Sequence, residues 1–324
     1  MNVLARRLLS LLPAAAGVWV LGFFLIHLVP GDPAVAFLGE RATPEAVAAL
    51  RKELGLDQGL GTQMARYADR VFLHGDLGVS LRTRTPVYQD LRRAFPATME
   101  LAGAALLLAV LVGIPLGVAA AVRPGSGVDL ITSAFSVLGL AVPVFWVGLV
   151  LALALGVHGP GLPFDGRLSP ALDEHSPAGR VLLDALRHLI LPALTLSIVP
   201  AAMLARMTRA QMRETLREPY VMTARAKGLG EWRVLWRHAF PNALLPVLTS
   251  LGLQAGALLG GAALTETVFS WPGLGRYLVD AVGSRDFPAL QGALLVTAGA
   301  FLILSLAADL ASAAADPRLR KAPA

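Results

Sequence analysis

The chain has 324 residues, of which 55% are hydrophobic and only 15% are charged. Soluble domains carry about 25% charged residues, so this composition argues against both a soluble and a disordered protein. The chain contains no cysteine, which excludes disulfides, thiolate metal sites and a cysteine nucleophile. Its formal net charge is +6, and the placement of the basic residues points to a membrane rather than to nucleic acid.

Six stretches of at least 18 residues contain no Asp, Glu, Lys or Arg. They are residues 8–31, 101–122, 130–164, 188–205, 238–265 and 287–308. A helix of about 20 apolar residues crosses a hydrocarbon core about 30 Å thick. We therefore predict an all-α polytopic membrane protein with six transmembrane helices, at about 9–29, 101–122, 131–156, 188–208, 243–265 and 288–309.

The first stretch has an alternative reading as a cleaved signal peptide. Arg6 and Arg7 precede it, and Ala34-Val35-Ala36 has the form of a cleavage site. Its apolar run of about 24 residues exceeds the 7–15 residues of a signal core. We interpret it as a retained span that follows a short cytoplasmic N-terminus, residues 1–8.

The basic residues orient the predicted spans by the positive-inside rule. With the N-terminus inside, the inner segments hold 14 basic residues and the short outer loops hold 5. The other 9 lie in residues 30–98, a segment too long for the rule to apply. We predict that both termini are cytoplasmic, with residues 311–324 as the C-terminal tail.

Residues 30–98 are predicted to form an extracytoplasmic helical element. Thr43-Pro44-Glu45 has the N-cap, first-position proline and acidic first turn of a helix start, and Gly55 is a helix stop. A second helix is predicted from Gln63 to Phe72, ending near Gly75. The element is either a docking surface for a soluble partner or a cap packed on the helix ends.

The largest inner loop covers residues 206–241. Its first part continues the fourth span as a basic helix until Pro219, and two short helices are predicted beyond, at Tyr220–Lys227 and Glu231–Ala239. An inner loop of this size is basic in any case. The stretch Ala224-Arg225-Ala226-Lys227-Gly228 adds small residues beside two cations, which suits a short helix seated in a groove of another protein.

This loop resembles the EAA loop of bacterial ABC importer permeases. The resemblance lies in Thr223-Ala224-Arg225-Ala226-Lys227-Gly228-Leu229 and in Asn242-Ala243-Leu244-Leu245-Pro246. The sequence departs from the general Glu-Ala-Ala pattern, since Met222, Thr223 and Ala224 stand at its three positions, whereas Gly228 is in register. The charged candidates for contacting a partner are then Glu218, Arg225 and Lys227.

Further motifs narrow the resemblance to the B-type permeases of dipeptide and oligopeptide importers. They are Pro30-Gly31-Asp32-Pro33, His74-Gly75-Asp76-Leu77-Gly78, Leu264-Thr265-Glu266-Thr267-Val268-Phe269-Ser270-Trp271-Pro272-Gly273-Leu274-Gly275 and Asp316-Pro317-Arg318. This similarity spans nearly the whole chain.

The resemblance implies a type I ABC importer permease fold in a bacterial inner membrane, with a transmembrane domain over residues 95–310. It implies a non-catalytic subunit that works with a second homologous permease, two cytoplasmic ABC ATPase subunits and an extracytoplasmic substrate-binding protein. A coupling helix in the inner loop would dock in the ATPase. The residues expected to form this ATPase-coupling site are Glu218, Thr223, Ala224, Arg225, Ala226, Lys227, Gly228 and Leu229.

The residues themselves support a transporter subunit driven by a partner. The chain has no G-x-x-x-x-G-K-[ST] motif, so any ATP would be bound by the partner ATPases and no cofactor by this chain. The predicted span cores hold no ionisable residue of the Asp, Glu, Lys or Arg type, which disfavours ion-coupled transport. No metal site and no catalytic cluster is recognisable. The alternatives kept open are import of nickel, glutathione or another small solute, and a self-sufficient channel or secondary transporter.

Glycines and prolines mark the remaining features of the spans. Gly252, Gly256 and Gly260 recur every fourth residue in the fifth span, which permits close helix approach. This face packs either within the chain or against the second permease. Four prolines are predicted to kink or end helices: Pro115, Pro143, Pro192 and Pro246. Glu266 is expected to have a structural role rather than to gate the outer mouth.

Overall fold

The structure is a computed structural model that describes residues 3–28, 32–39, 42–159, 161–170, 172 and 176–315. These residues are mostly helical, and their only β-pairing is the isolated bridge between Val79 and Pro86. The predicted motifs at Pro30-Gly31 and Asp316-Pro317-Arg318 lie outside the described residues, as does most of the C-terminal tail.

The α-helices of the described residues are numbered here in chain order. They are α1 (Val3–Leu28), α2 (Pro33–Leu38), α3 (Pro44–Leu54), α4 (Leu60–Ala68), α5 (Val87–Val122), α6 (Gly127–Ala141), α7 (Val144–Leu151), α8 (Ala178–Thr215), α9 (Pro219–Ala226), α10 (Glu231–Arg233), α11 (Phe240–Val268), α12 (Leu274–Gly283) and α13 (Phe287–Ala315). Turns of π-helix occupy Asp69–Leu73, Ala152–Val157 and Val234–Ala239.

Four helical segments among the described residues are long and apolar enough to cross a membrane. They are Val87–Val122, Ala178–Thr215, Glu231–Val268 and Phe287–Ala308, and a bent pair could provide a fifth. The remaining predicted span, the first at about 9–29, corresponds to α1, which is helical over 26 residues. Its described apolar part, Leu11–Phe24, is shorter than a full span.

The predicted span at 131–156 is two helices rather than one. α6 and the segment Val144–Val157 meet at an angle of 105°. The break falls at Val142, which is extended (φ −83°, ψ 132°), and at Pro143, which precedes the first residue of α7. A residue before proline is disfavoured in the α conformation, so the pair Val142-Pro143 ends α6 and redirects the chain.

The other prolines do not end their helices. Pro192 and Pro200 lie inside the 38-residue α8, and Pro246 lies inside α11. α5 continues past Pro115 to Val122. These helices also exceed their predicted bounds, since α5 begins 14 residues before residue 101 and α8 begins 10 residues before residue 188. Charged residues end an apolar run, but they do not end helical hydrogen bonding.

The chain divides into two compact units, and the first comprises Met1–Ala97 with Pro272–Leu302. It contains the predicted outer element, and the helix signals there are confirmed. The Thr43 hydroxyl accepts a hydrogen bond from the Ala46 amide at 3.3 Å, and Gly55 ends α3 with φ +69°. α4 covers most of the second predicted helix and continues as a π-turn to Leu73.

Two further contacts organise this first unit. Tyr67 of α4 stacks on Trp19 of α1, with ring centroids 5.9 Å apart, and its burial raises the pKa of the Tyr67 hydroxyl to about 12. The Ser80 hydroxyl donates to Asp286 Oδ2 at 2.5 Å, and the Arg82 amide donates to the same oxygen at 3.0 Å. Asp286 thereby joins the turn after the Val79 bridge to the start of α13. The short helix α12 was not predicted.

The second unit comprises Thr98–Trp271 with Ile303–Ala324. Its core is built where α5 and α11 pack on α8. A Cβ on Gly113 would come within 2.6 Å of the Ala201 carbonyl oxygen, and one on Gly117 within 2.6 Å of the Ala205 carbonyl oxygen. The α5 and α8 backbones therefore touch at two glycines one turn apart, as small residues permit in membrane helices.

The predicted glycine face of α11 does not behave as one surface. A Cβ on Gly252 would collide with that of Ala308 on α13, so at this position the face packs within the chain. Gly256 is buried. Gly260 is exposed, and a Cβ there would meet nothing within 4 Å. Packing within the chain thus applies at Gly252, whereas contact of the exposed end at Gly260 with a second permease stays a prediction.

Candidate functional site

The predicted ATPase-coupling residues lie on and around α9, the short helix of the predicted inner loop. Its backbone follows from the local sequence. Glu218 is extended at the N-cap, and Pro219 follows at the first helical position, where its fixed φ suits a helix start. Gly228 has φ +77°, the left-handed conformation that glycine adopts without a Cβ penalty. The helix is thus bounded by a proline and a glycine, close to its predicted limits.

One face of α9 is buried against the ends of three long helices. Val221 has no exposed surface and Ala224 has 6%. They belong to one apolar cluster with residues of α5, α8 and α11 and of the segment before α11, namely Val118, Ala121, Met212, Val234, Ala239 and Ala243. α9 is therefore packed directly on the ends of these helices.

The opposite face of α9 is open. Met222 is 58% exposed and Tyr220 is 42% exposed. Of the eight predicted residues, five are exposed, one is buried and two are half-buried: Glu218, Thr223, Ala226, Lys227 and Gly228 in the first group, Ala224 in the second, and Arg225 and Leu229 in the third. The exposed residues form a small, weakly charged surface suited to seating in a groove of a partner.

Arg225 is engaged within the loop. Its Nε donates to Glu231 Oε1 at 2.9 Å, and its Nη2 donates to Glu231 Oε2 at 3.2 Å. A bidentate pair of this kind fixes geometry as well as charge. Its Nη1 also lies 3.4 Å from the Leu216 carbonyl oxygen, which it donates to. Arg225 thus ties α9 to the end of α8 and to the start of α10, and Lys227 is left as the exposed cation of the motif.

The segment after α9 leads into the membrane without a break. We predicted a separate short helix at 231–239 and a span beginning at 243, but Glu231–Val268 runs as one helical segment. A π-turn over Val234–Ala239 joins its two parts, and Pro241 falls in the first turn of α11.

A second charged group near the inner loop was not predicted. Asp129 of α6 accepts hydrogen bonds from Arg209 Nε at 2.5 Å and from Arg213 Nη2 at 2.7 Å. The Gly125 amide also donates to it, at 2.9 Å. Asp129 is 7% exposed, so this triad joins the start of α6 to the end of α8. A usable signal was present, because Arg209 and Arg213 are four residues apart and thus share a helix face.

At the other end of the second unit, Glu266 is fully buried in α11. It accepts a hydrogen bond from the Thr98 hydroxyl at 2.6 Å, and its backbone carbonyl accepts one from the Trp271 amide at 2.8 Å. The structural role expected for Glu266 stays a prediction. The two contacts place the predicted Leu264–Gly275 motif at a junction where α11 ends against α5.

Apolar helices long enough to span a membrane, with a short helix between two of them that leaves one face exposed, indicate an integral membrane protein with a surface open to a partner. Family models match nearly the whole chain. "Binding-protein-dependent transport system inner membrane component" matches residues 113–321, and the corresponding N-terminal component matches residues 1–102. The chain therefore belongs to the family of binding-protein-dependent transport system inner-membrane components, the permeases of ABC importers. Members of this family are membrane components rather than catalysts.

Curated relatives match the chain along its full length. The dipeptide transport system permease protein DppB of Escherichia coli K12 is 43% identical, covering 99% of each chain. The probable D,D-dipeptide transport system permease protein DdpB of the same strain is 44% identical, covering 98% of this chain and 97% of its own. The di/tripeptide permease DppB of Pseudomonas aeruginosa is 44% identical, covering 99% of each.

A solved structure shares the fold. It belongs to the MetNI methionine ABC transporter in an inward-facing conformation, with a TM-score of 0.54 and 17% identity. The match covers 70% of this chain and 97% of that one. At this identity the likeness concerns the fold alone.

Proposed function

We propose that this chain is the permease subunit of an ATP-driven importer of di- and oligopeptides and forms one wall of its transmembrane pathway. The assignment of peptides as the substrate rests on one observation. The chain is similar over its full length, at 43–44% identity, to permeases named for dipeptides, D,D-dipeptides and di/tripeptides. Its partners are a second homologous permease, two cytoplasmic ABC ATPases and an extracytoplasmic binding protein.

The proposed topology has six spans with both termini in the cytoplasm. The distribution of basic residues supports it, with 14 on the inner side against 5 in the short outer loops. In this topology α1 is the first span and the bent pair of α6 and α7 occupies the third. Because α1 contacts the outer element through Trp19 and Tyr67, we propose that this element caps the outer helix ends and that its free surface faces the binding protein.

Coupling is proposed to be mechanical. The exposed face of α9, with Thr223, Ala226 and Lys227, seats in a cleft of the ATPase. The buried face, with Val221 and Ala224, carries motion of the ATPase to the ends of α5, α8 and α11. The bidentate pair between Arg225 and Glu231 holds α9 in a fixed position relative to the segment that continues as α11.

The test is co-purification from native membranes through a tag on this chain in mild detergent. Recovery of a second permease and of ATPase subunits, with ATPase activity that rises on addition of peptide-loaded binding protein, supports the proposal. Recovery of the chain alone, with solute flux in liposomes without ATP, contradicts it in favour of a channel or secondary transporter.

A further inference from the structure

An open groove of about 580 Å³ lies between the end of α5 and the segment after α9. Its walls are mainly apolar and include Val118, Ala119 and Val122 of α5 and Leu235 of the π-turn. Trp232 and Trp236 line it from the same side as Leu235. The groove thus runs along the last two turns of a membrane-crossing helix.

Three charged side chains line this groove, and two of them neutralise each other. Arg225 and Glu231 form the bidentate pair described above. The third is Arg123, which is exposed and, within the described part of the chain, forms no ion pair. The groove is therefore mainly apolar along its length and has at its end one cation, Arg123, without an ion-pair partner among the described residues.

The two tryptophans identify the depth at which the groove opens. Trp232 is 74% exposed and Trp236 is 38% exposed. Their rings stand 5.4 Å apart, and Trp236 stands 4.9 Å from Phe240, the first residue of α11. Exposed tryptophans beside a span end favour the headgroup level of a bilayer, where one edge of the ring is apolar and the other is wet.

We propose that this groove binds an anionic phospholipid, with its phosphate at Arg123 and an acyl chain along Val118, Val122 and Leu235. Charge decides the headgroup class. The inner-side residues 123–129 and 206–241 contain nine basic and four acidic side chains, and basic pockets between spans on the cytoplasmic side favour anionic headgroups. The cytoplasmic placement of the groove rests on the proposed function and topology.

The position of the groove gives the lipid a role in coupling. Leu216, Arg225 and Glu231 line it, and these are the residues that join the end of α8, α9 and α10. A bound lipid therefore supports the same junction through which α9 would act on α11. ATPase stimulation by loaded binding protein should then be greater in bilayers that contain anionic lipid than in zwitterionic ones.

The test is native mass spectrometry of the purified importer complex, exchanged into equal amounts of phosphatidylglycerol and phosphatidylcholine. The wild type should retain phosphatidylglycerol preferentially. Arg123→Gln should reduce that preference about fivefold, which corresponds to about 1 kcal/mol for one arginine beside an anionic surface. Arg206→Gln, which removes an exposed cation of α8 outside the groove, should leave the preference unchanged.

A second variant separates the groove from the charge. Ala119→Trp fills the groove without altering any charged residue and should reduce retention of both lipids. Unchanged lipid preference in Arg123→Gln, or unchanged retention in Ala119→Trp, overturns the proposal. Cross-linking of Ala119→Cys to the second permease or to the ATPase within the complex also overturns it, because the groove is then a protein interface. Failure of the complex to assemble bears instead on the proposed function.

Discussion

At the residue scale, the backbone conformation at Gly228 restricts which residues this position of the inner loop accepts. Its φ of +77° costs a residue with a Cβ about 1–2 kcal/mol. We expect Gly228→Ala to loosen the end of α9 and to lower the ATPase stimulation produced by loaded binding protein, measured on the reconstituted importer.

Gly230→Ala is the matched control for this prediction. Gly230 has φ −60°, and a Cβ there would meet nothing within 4 Å. The Gly230→Ala variant should therefore retain the full ATPase stimulation by loaded binding protein. Equal loss in the two variants would mean that flexibility of the loop, and not the end of α9, governs coupling.

The pair between Arg225 and Glu231 makes a second prediction at this scale. Each single reversal, Arg225→Glu or Glu231→Arg, places like charges opposite each other and should reduce peptide-dependent ATPase activity. The double reversal restores an ion pair and should recover most of the activity. The direct contribution of this partly exposed pair to stability is expected to be below about 1 kcal/mol, so activity and not melting is the readout.

The outcome distinguishes two roles of Arg225. Recovery in the double variant identifies the residue as a brace within the loop. If Arg225 instead bound the ATPase directly, Arg225→Glu would stay inactive whatever occupied position 231.

At the element scale, the α5–α8 contact depends on two glycines. Gly117→Ala would bring a Cβ within 2.6 Å of both the Ala205 carbonyl oxygen and the Thr208 Cβ. We expect it to lower the free energy of unfolding by about 1–3 kcal/mol through overpacking, seen as a lower melting temperature of the complex in detergent.

Gly103→Ala in the same helix is the control. A Cβ at Gly103 would meet nothing within 4 Å, and alanine is favoured over glycine in a helix by about 0.5–1 kcal/mol. A rise or no change in melting temperature is expected there. Destabilisation by both alanines would locate the effect in α5 itself and not in its contact with α8.

The second contact at the element scale is the one that Asp129 makes between α6 and α8. Asp129→Asn removes the charge that holds Arg209 and Arg213 and should lower the melting temperature and weaken the link between α6 and α8. Glu214→Gln, which changes an exposed carboxylate of α8, serves as the control and should melt like the wild type. Equal melting of the two variants would show that the triad contributes nothing to the fold.

At the scale of the whole molecule, local signals predicted more of the structure than span counting did. The bounds of α3 and α9 follow from Thr43, Gly55, Pro219 and Gly228, because caps and left-handed glycines act within a few residues. Pro143, where the chain breaks, was one of four prolines equally predicted to kink or end a helix. Only tertiary packing distinguishes it from Pro192 and Pro246, whose helices continue.

For the candidate site, the sequence indicated which residues lie on and around α9 but not which residues form its ion pairs and hydrogen bonds. Five of the eight predicted coupling residues are exposed on and around α9, and their contact with an ATPase stays a prediction. The partner of Arg225 could not be chosen from the sequence, because several inner-loop carboxylates compete for it. In the Asp129 triad, Asp129 is separated from Arg209 by 80 positions and from Arg213 by 84. Helix and strand spacing rules do not predict contacts over such separations.

The central claim is that the exposed face of α9 seats in an ATPase subunit. The chain has no cysteine, so Lys227→Cys introduces a unique thiol on that face, and Arg180→Cys introduces one on the proposed outer side. Treating inverted membrane vesicles with a thiol-to-amine cross-linker should link Cys-substituted position 227 to the ATPase, in a yield that changes with nucleotide, and should not link position 180 to it. Cross-linking from position 180 but not from position 227, or a yield indifferent to nucleotide, would contradict the account.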